Sequence, residues 1–569
     1  MVRKEGYSVK QSVRSRLTGL YAIVFLALAA FLFWKCRYGY ANMDESFYLT
    51  IPYRLCTGDG LLLHEWHLSQ LSAFLLYPIM KLYLVLFGGM EGILLRFRVL
   101  FTLLWICSAL FFFLRLKRFS LPGAMAASLA FLVYAPFGLM ALSYNSMGLL
   151  LLLMACVLAA TADPDSRVAF GLAGLSFAGA VLCCPYLLLL YGLFTGVAIA
   201  SAVRRKRVLL RCWICFSAGC AVLLVLFCLF LFSRGSLTQI IRVLPRLFED
   251  PEHKGEGLLS STWAYLRAAA GCSRLFPFCL AAAVVICWVS KRRGEAGAGL
   301  VALCLVCLTA QFGFLVRRPY LNYVMFPPNL LAPYCALHSK KAEIRKPFFA
   351  IWLPGAVYTY CINLSSNQEF YVISSASTVM TVASLVILAS FVRELGAERV
   401  RPRVLAAARF AAILLVAVQL CAEVTLRYST VFWEPEGMGA QTVLAEAGPE
   451  KGILMTPERY RDYLRAERDA ERIRRDDSVQ KVLFLSTNTR LYLSAEKEMA
   501  SFSAWLSDVN EISIHRLDLY FDLFPEKIPD GIYIEPEYRD FAEHYRAMGY
   551  SAESLESGAL WLTREASGG

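Results

Sequence analysis

Apolar runs of about twenty residues recur from residue 18 to residue 424 and then stop. Runs of about 18 or more apolar residues read as membrane-spanning helices, because about 20 helical residues cross a bilayer core. The pattern predicts about thirteen crossings, near 18–36, 93–114, 122–141, 146–161, 168–183, 186–203, 210–232, 265–290, 298–316, 324–338, 347–363, 371–392 and 404–424. The stretch Ser72 to Phe87 is apolar too, but it is about 16 residues long and holds Pro78 and Lys81. It reads as an interfacial helix. Beyond residue 425 the pattern changes. Pro457 to Asp477 predicts a charged helix, 482–486, 531–535 and 559–563 predict short strands, and Asp540 to Met548 predicts a helix. The expected fold is an α-helical polytopic membrane protein over 1–424, with a soluble α/β domain over 425–569.

Two polar stretches interrupt the apolar part. Tyr38 to Gln70 follows the first helix directly and carries Asp44, Glu45, Arg54, His64, Glu65 and His67. Ser233 to Ser261 carries Arg242, Arg246, Glu249, Asp250, His253 and Lys254. The basic clusters at the N-terminus and at 115–118, 204–207, 291–293 and 340–346 all fall on one side of the predicted layout. By the positive-inside rule that side is cytoplasmic, which puts the N-terminus inside and both polar stretches and the C-terminal domain outside. A basic stretch precedes the first apolar run and no small-residue cleavage signal follows it. The first helix is therefore expected to stay uncleaved.

Composition agrees with this division. A chain that is 58% hydrophobic, with mean hydropathy +0.52, cannot bury its apolar surface in one soluble core. The net charge of +13 divides into about −9 for the tail from Arg427 onward and about +22 for the rest. The positive excess lies in short loops, so it marks membrane orientation, and nucleic acid is not an expected partner. All 18 cysteines precede residue 422, mostly inside apolar runs where they act as small hydrophobes. The tail is not a disulfide scaffold. Short loops and a cysteine-free outer domain lean toward a bacterial plasma membrane.

Adjacent carboxylates at the outer end of a first helix are costly to bury and tend to serve function in membrane proteins. On a helix Asp44 and Glu45 point about 100° apart, so they do not flank one sugar from both sides. One carboxylate suffices if the leaving group is a phosphate: the phosphate needs cations, and the attacking hydroxyl needs a base. Arg54, Lys81, Arg96 and Arg98, with Arg317, Arg318 and Tyr320 in a later loop, are cations and a phenol expected near the outer face. They suit either a phosphate, which matches arginine's planar fork, or lipid headgroup anchoring, the second being favoured for Arg98. Arg242 and Arg246 belong to a lid over the phosphate or to a plain amphipathic helix. His64, Glu65 and His67 form HEWH, one residue short of the HExxH zinc spacing. They read as pocket-lining residues, with metal ligation as the alternative.

The stretch MDESFY after the first helix resembles the acidic motif in the first outer loop of the GT-C glycosyltransferases, in particular the protein O-mannosyltransferase and aminoarabinose-transferase branch. GILLRFRVLFTLLWICSALFFFLRLKR resembles that family's second membrane helix. SYNSMGLLLLLMACVLAA followed by GLAGLSFAGAVLCCPYLLLLYG resembles the paired helices after it. Two positions depart from the pattern. Asn145 stands where the family carries an acid, and Cys183–Cys184–Pro185 where it favours a lysine.

The resemblance implies inverting transfer of a sugar from a polyprenyl-phosphate carrier to an acceptor hydroxyl at the outer face. It implies Asp44 as the base, Glu45 as an orienting group, and no required metal or other cofactor. The expected partners are membrane lipid, the polyprenyl-phosphate sugar donor and an acceptor of unspecified class. The alternative is a flippase or transporter of lipid-linked saccharides. Transporters carry ionisable groups at mid-membrane depth, whereas here the acids cluster at the mouth. The tail is expected to recognise the acceptor, so its deletion should leave the membrane part inserted.

Overall fold

The computed structural model describes residues 2–39, 43–205, 207–249, 258–271, 273–317, 319–365, 370–398, 400–431 and 434–564. The apolar runs form a helical bundle, and a small sheet domain sits at one end. Among the described residues, nine helices are long and apolar enough to cross a membrane. Leu121–Val133 and Arg167–Cys183 are apolar but shorter. Large apolar side chains such as Ile23, Leu229, Phe278 and Ile413 stand exposed, as they do where lipid is the solvent.

Several runs expected as single helices are broken, and proline accounts for two of the breaks. The run near 265–290 splits into Leu258–Gly271 and Phe276–Arg293, with Pro277 starting the second piece. The run near 324–338 splits at Pro327–Pro328 into Leu321–Val324, a 3-10 turn and Leu331–His338. Proline lacks the amide donor an uninterrupted helix needs. The run near 371–392 divides at residues 376–377, between Phe370–Ser375 and Thr378–Leu395.

Ala73–Phe87, continuous with the turn Leu68–Ser72, meets the length and apolarity for a crossing. Its two ends say otherwise. Just before it, His67 stacks on Trp505 of the tail at 6.2 Å. Just after it, the Met90 amide donates to Glu496 of the tail at 3.3 Å. A helix with the same domain at both ends lies along that end of the bundle.

The helices Arg167–Cys183 and Arg207–Phe232 touch backbone to backbone. A methyl on Gly174 would run into the Phe216 carbonyl, and one on Gly219 into the Gly171 carbonyl. Small residues at such a crossing are the usual device for close approach between membrane helices.

The tail carries a five-stranded sheet in the order Glu498–Met499, Lys481–Leu485, Gly531–Ile534, Leu560–Arg564, Tyr550–Ser554. The first three strands run parallel and the last two pair antiparallel. The helix Pro457–Arg475 and the three strands expected from sequence are present. The helix Glu511–Leu523 and the strand Tyr550–Ser554 are additions.

The tail is welded to the first polar stretch. One apolar cluster contains Phe47, Leu55, Leu63 and Trp66 together with Leu485, Phe502, Leu517 and Tyr520 of the tail. It also takes Ile240, Val243 and Leu247, the buried face of the amphipathic helix Leu237–Leu247.

Candidate functional site

Residues expected as a loop form the helix Asp44–Cys56. Asp44 and Glu45 occupy its first turn and Arg54 its last, the charge placement that complements a helix dipole. Eleven of its thirteen residues are buried, so the helix lies inside the junction of bundle and tail.

The two acids diverge as helical geometry requires. Glu45 receives one edge of the Arg98 guanidinium in a bidentate pair, Nε to Oε1 at 2.6 Å and Nη2 to Oε2 at 2.5 Å. Arg98 also donates to the carbonyls of Cys36 at 3.0 Å and Gly39 at 2.9 Å. The pair thereby pins the end of the first helix to the start of the Asp44 helix. This corrects two expectations. Glu45 is engaged by protein rather than free to orient a substrate, and Arg98 is a buried clamp rather than a headgroup anchor.

Asp44 stands among phenols. Burial pushes its carboxyl up to about 6, against the opposing pull of the Tyr48 hydroxyl. That hydroxyl donates to Oδ1 at 3.5 Å, a long contact. No cation pairs with Asp44 among the described residues. The Tyr48 ring meets Tyr144 edge-on at 5.7 Å. Tyr371 lies within electrostatic reach of Asp44, and its ring is 4.9 Å from Tyr320. Asn322 fixes this wall by donating to the Tyr371 carbonyl at 2.9 Å and accepting from the Phe137 amide at 3.1 Å. Next to Tyr144, Asn145 is buried with its side-chain oxygen unpartnered.

Arg54 has another role than the one expected. It is fully buried and donates to Asp59 at 2.5 Å, Glu65 at 3.1 Å, the Ser501 carbonyl at 2.5 Å and the Tyr520 hydroxyl at 2.9 Å. Lys527 closes the same cluster on Asp59 at 2.5 Å. These groups lock the polar stretch to the tail and leave Arg54 no fork for a phosphate.

His64 accepts from the Gly60 amide at 2.9 Å, and burial lowers its pKa to about 4, so it is neutral at neutral pH. His67 accepts from the Ser69 amide at 3.1 Å and lines a shallow pocket with Trp66, Trp505 and Asn510. The two imidazoles thus serve different neighbours. Among the described residues no group of three or more His, Cys, Asp or Glu side chains is placed to hold a metal ion.

The remaining expected cations stand apart from Asp44. Lys81, Arg96, Arg242 and Arg317 are exposed. Arg96 lies over the Phe87 ring at 4.2 Å and donates to Tyr83 at 2.8 Å, the posture of a side chain snorkelling along an apolar helix. Arg246 pairs with Glu249 at 2.7 Å. Arg318, Asp250, His253 and Lys254 lie outside the described residues. Of the expected phosphate-side residues that are described, Tyr320 is the one connected to Asp44, through Tyr371.

Sequence reading missed Tyr48, Tyr144 and Tyr371. It also missed Lys35 and Arg427, which end the first and last helices and are both buried.

No family model and no curated protein matches the sequence. Among solved structures, the chain is similar to ArnT from Cupriavidus metallidurans in the apo state, with a TM-score of 0.48 and 12% identity over 96% of this chain and 98% of that one. It is similar to the same ArnT bound to undecaprenyl phosphate, with a TM-score of 0.46 and 12% identity over the same shares. A likeness of that depth assigns no residue and no reaction, and the chemistry has to come from the side chains around Asp44.

Proposed function

We propose that the protein is a membrane glycosyltransferase that moves a sugar from a polyprenyl-phosphate donor to an acceptor hydroxyl, with inversion and with Asp44 as the base. The observation that carries this reading is a partly desolvated carboxylate, with no cation paired to it among the described residues, set among tyrosines at one end of a membrane bundle. A carboxyl near 6 is ionised at neutral pH yet basic enough to take a proton in a transition state. Phenol rings present apolar faces and hydroxyls, the pairing that a sugar ring offers in return.

In the proposed step the acceptor oxygen bonds to the anomeric carbon, and the bond from that carbon to the phosphate oxygen breaks. Its electron pair leaves with the phosphate, and the acceptor's proton passes to Asp44. Tyr48 holds Oδ1 and leaves Oδ2 to receive that proton. The tail and Asp44 are assigned to the outer face because the basic clusters gather at the other ends of the helices. Undecaprenyl phosphate, bound by the ArnT of Cupriavidus metallidurans, is of the proposed donor-carrier class.

A flippase or transporter is the second reading. It draws on a buried polar run, Gln311 to Gln419 to Glu423, between two membrane helices. The deciding experiment incubates purified full-length protein, wild type and Asp44→Asn, with a panel of polyprenyl-phosphate sugars and follows transfer or slow release of sugar. Release by wild type alone supports the transferase. No release from any donor, together with translocation in liposomes, would overturn it.

A further inference from the structure

Arg427 and Lys35 form a second charged centre that the Asp44 chemistry does not use. Arg427 lies in the last turn of the helix Pro402–Ser429 and is 2% exposed. One of its nitrogens, Nη1, donates to the Gly138 carbonyl. Its Nε and Nη2 are buried with no hydrogen-bond partner. Lys35 ends the first helix, is 4% exposed, and donates to the Thr430 carbonyl at 2.8 Å. Neither forms an ion pair among the described residues. Arg98, close enough to act on both electrostatically, is already matched by Glu45. Glu423, one turn before Arg427, accepts from Gln419 on Oε1 and has its Oε2 buried without a partner, but it forms no ion pair with Arg427.

Two basic side chains buried side by side at a helix junction carry their charges there only at a high cost unless an anion joins them. The planar fork of arginine with two free donors is matched to a phosphate. A second observation says where that phosphate comes from. Trp34 and Tyr428, the neighbours of Lys35 and Arg427 in sequence, are 43% and 56% exposed and stack on each other at 6.2 Å. Exposed tryptophan and tyrosine at the ends of membrane helices sit at headgroup depth. The aromatic pair therefore marks the bilayer surface beside the buried cations.

We propose that Arg427 and Lys35 hold the phosphate of a lipid at the junction of the first and last helices. The lipid is either the polyprenyl-phosphate carrier, a form that rests on the transferase reading, or an anionic phospholipid, a form that does not. In both, the free edge of Arg427 and the ammonium of Lys35 take the phosphate oxygens, and the acyl or prenyl chain runs past Trp34 and Tyr428.

The test uses delipidated full-length protein titrated with a polyprenyl phosphate, the matching polyprenol and phosphatidylglycerol, read by tryptophan fluorescence and thermal melting. A phosphate-bearing lipid is expected to bind and raise the melting temperature, and the polyprenol to do neither. Arg427→Gln and Lys35→Met are each expected to weaken binding at least tenfold, and Arg427→Lys to fall between. Without lipid, Arg427→Gln is expected to melt above wild type, because it removes an uncompensated buried charge. Asp44→Asn should bind like wild type, so loss of transfer and loss of lipid binding are separable results. Preference for polyprenyl phosphate identifies the carrier, and preference for phosphatidylglycerol a headgroup; either upholds the site. Equal binding of polyprenol and polyprenyl phosphate, or unchanged affinity in Arg427→Gln, would overturn it.

Discussion

Glu45 takes the Nε and Nη2 edge of the Arg98 guanidinium in a bidentate pair, and Asp44, its neighbour in sequence, has no cation partner among the described residues and stands among tyrosines. One acid holds the scaffold and the other is free for chemistry. Glu45→Gln leaves Arg98 buried and uncompensated. It is expected to cost about 3–5 kcal/mol and to lower the melting temperature and the yield of folded protein. A melting curve indistinguishable from wild type would refute the clamp.

Asp44→Asn behaves in the opposite way. The half-buried carboxyl holds its proton more tightly in the folded protein than in the unfolded chain, its pKa rising from 3.8 to about 6. Its contribution to stability is therefore intact below about pH 4 and is lost as pH rises through 6. At neutral pH the amide variant is expected to be more stable than wild type, by up to about 3 kcal/mol, while losing transfer by about 100-fold or more. Thermal melts at pH 5 and pH 8 check this, since the gain should shrink at the lower pH.

The same carboxyl sets a pH profile for the proposed transfer. A base must be ionised, so kcat/KM should climb tenfold per pH unit below about 6 and level off above it. Initial rates of sugar release between pH 4.5 and pH 8 give the limb. A flat profile across pH 6 would remove Asp44 as the base.

Gly174 and Gly219 allow two helix backbones to touch. Gly174→Ala and Gly219→Ala are each expected to destabilise by about 1–3 kcal/mol through overpacking. Gly192→Ala is the control, because a methyl there meets nothing within 4 Å. Equal melting temperatures for all three variants would show that the crossing yields more easily than its geometry says.

The tail is not a detachable module. Truncation after Thr430 removes the Ser501 and Tyr520 acceptors of Arg54 and bares Phe47, Leu63 and Trp66. The truncated protein is expected to aggregate rather than stay inserted and inactive, contrary to the expectation from sequence. Size-exclusion chromatography in detergent decides, and a single sharp peak at the bundle's size would restore the modular view.

Much of the bundle was legible because apolar runs have one use. The breaks were legible in principle too, at Pro277 and Pro327–Pro328, but the hydropathy there is high enough to mask them. Asp44–Cys56 reads as loop because it opens a stretch punctuated by Asp44, Glu45, Arg54, His64, Glu65 and His67, although acids in the first turn and Arg54 in the last mark a helix. The divergence of Asp44 from Glu45 followed from helical geometry alone. The fate of Arg54 did not, since its acceptors at 501 and 520 lie more than 400 residues away in sequence. Tyr48, Tyr144 and Tyr371 gave no signal, because a tyrosine near a helix end reads as an ordinary interfacial anchor. Arg427 and Lys35 stand at the outer ends of their predicted spans, where the sorting of charge across the membrane does not explain them, but a lone cation at a helix end reads as a snorkelling headgroup anchor.

The glycine crossing also bears on movement. Two helices in backbone contact have no layer of side chains that could change rotamer between them, so Arg167–Cys183 and Arg207–Phe232 should travel as one stiff plank. Any widening of the bundle to admit a bulky lipid must then be taken up at its joints. The turn at Cys184–Pro185, where the chain leaves the plank for the helix Leu188–Val203, is one such joint.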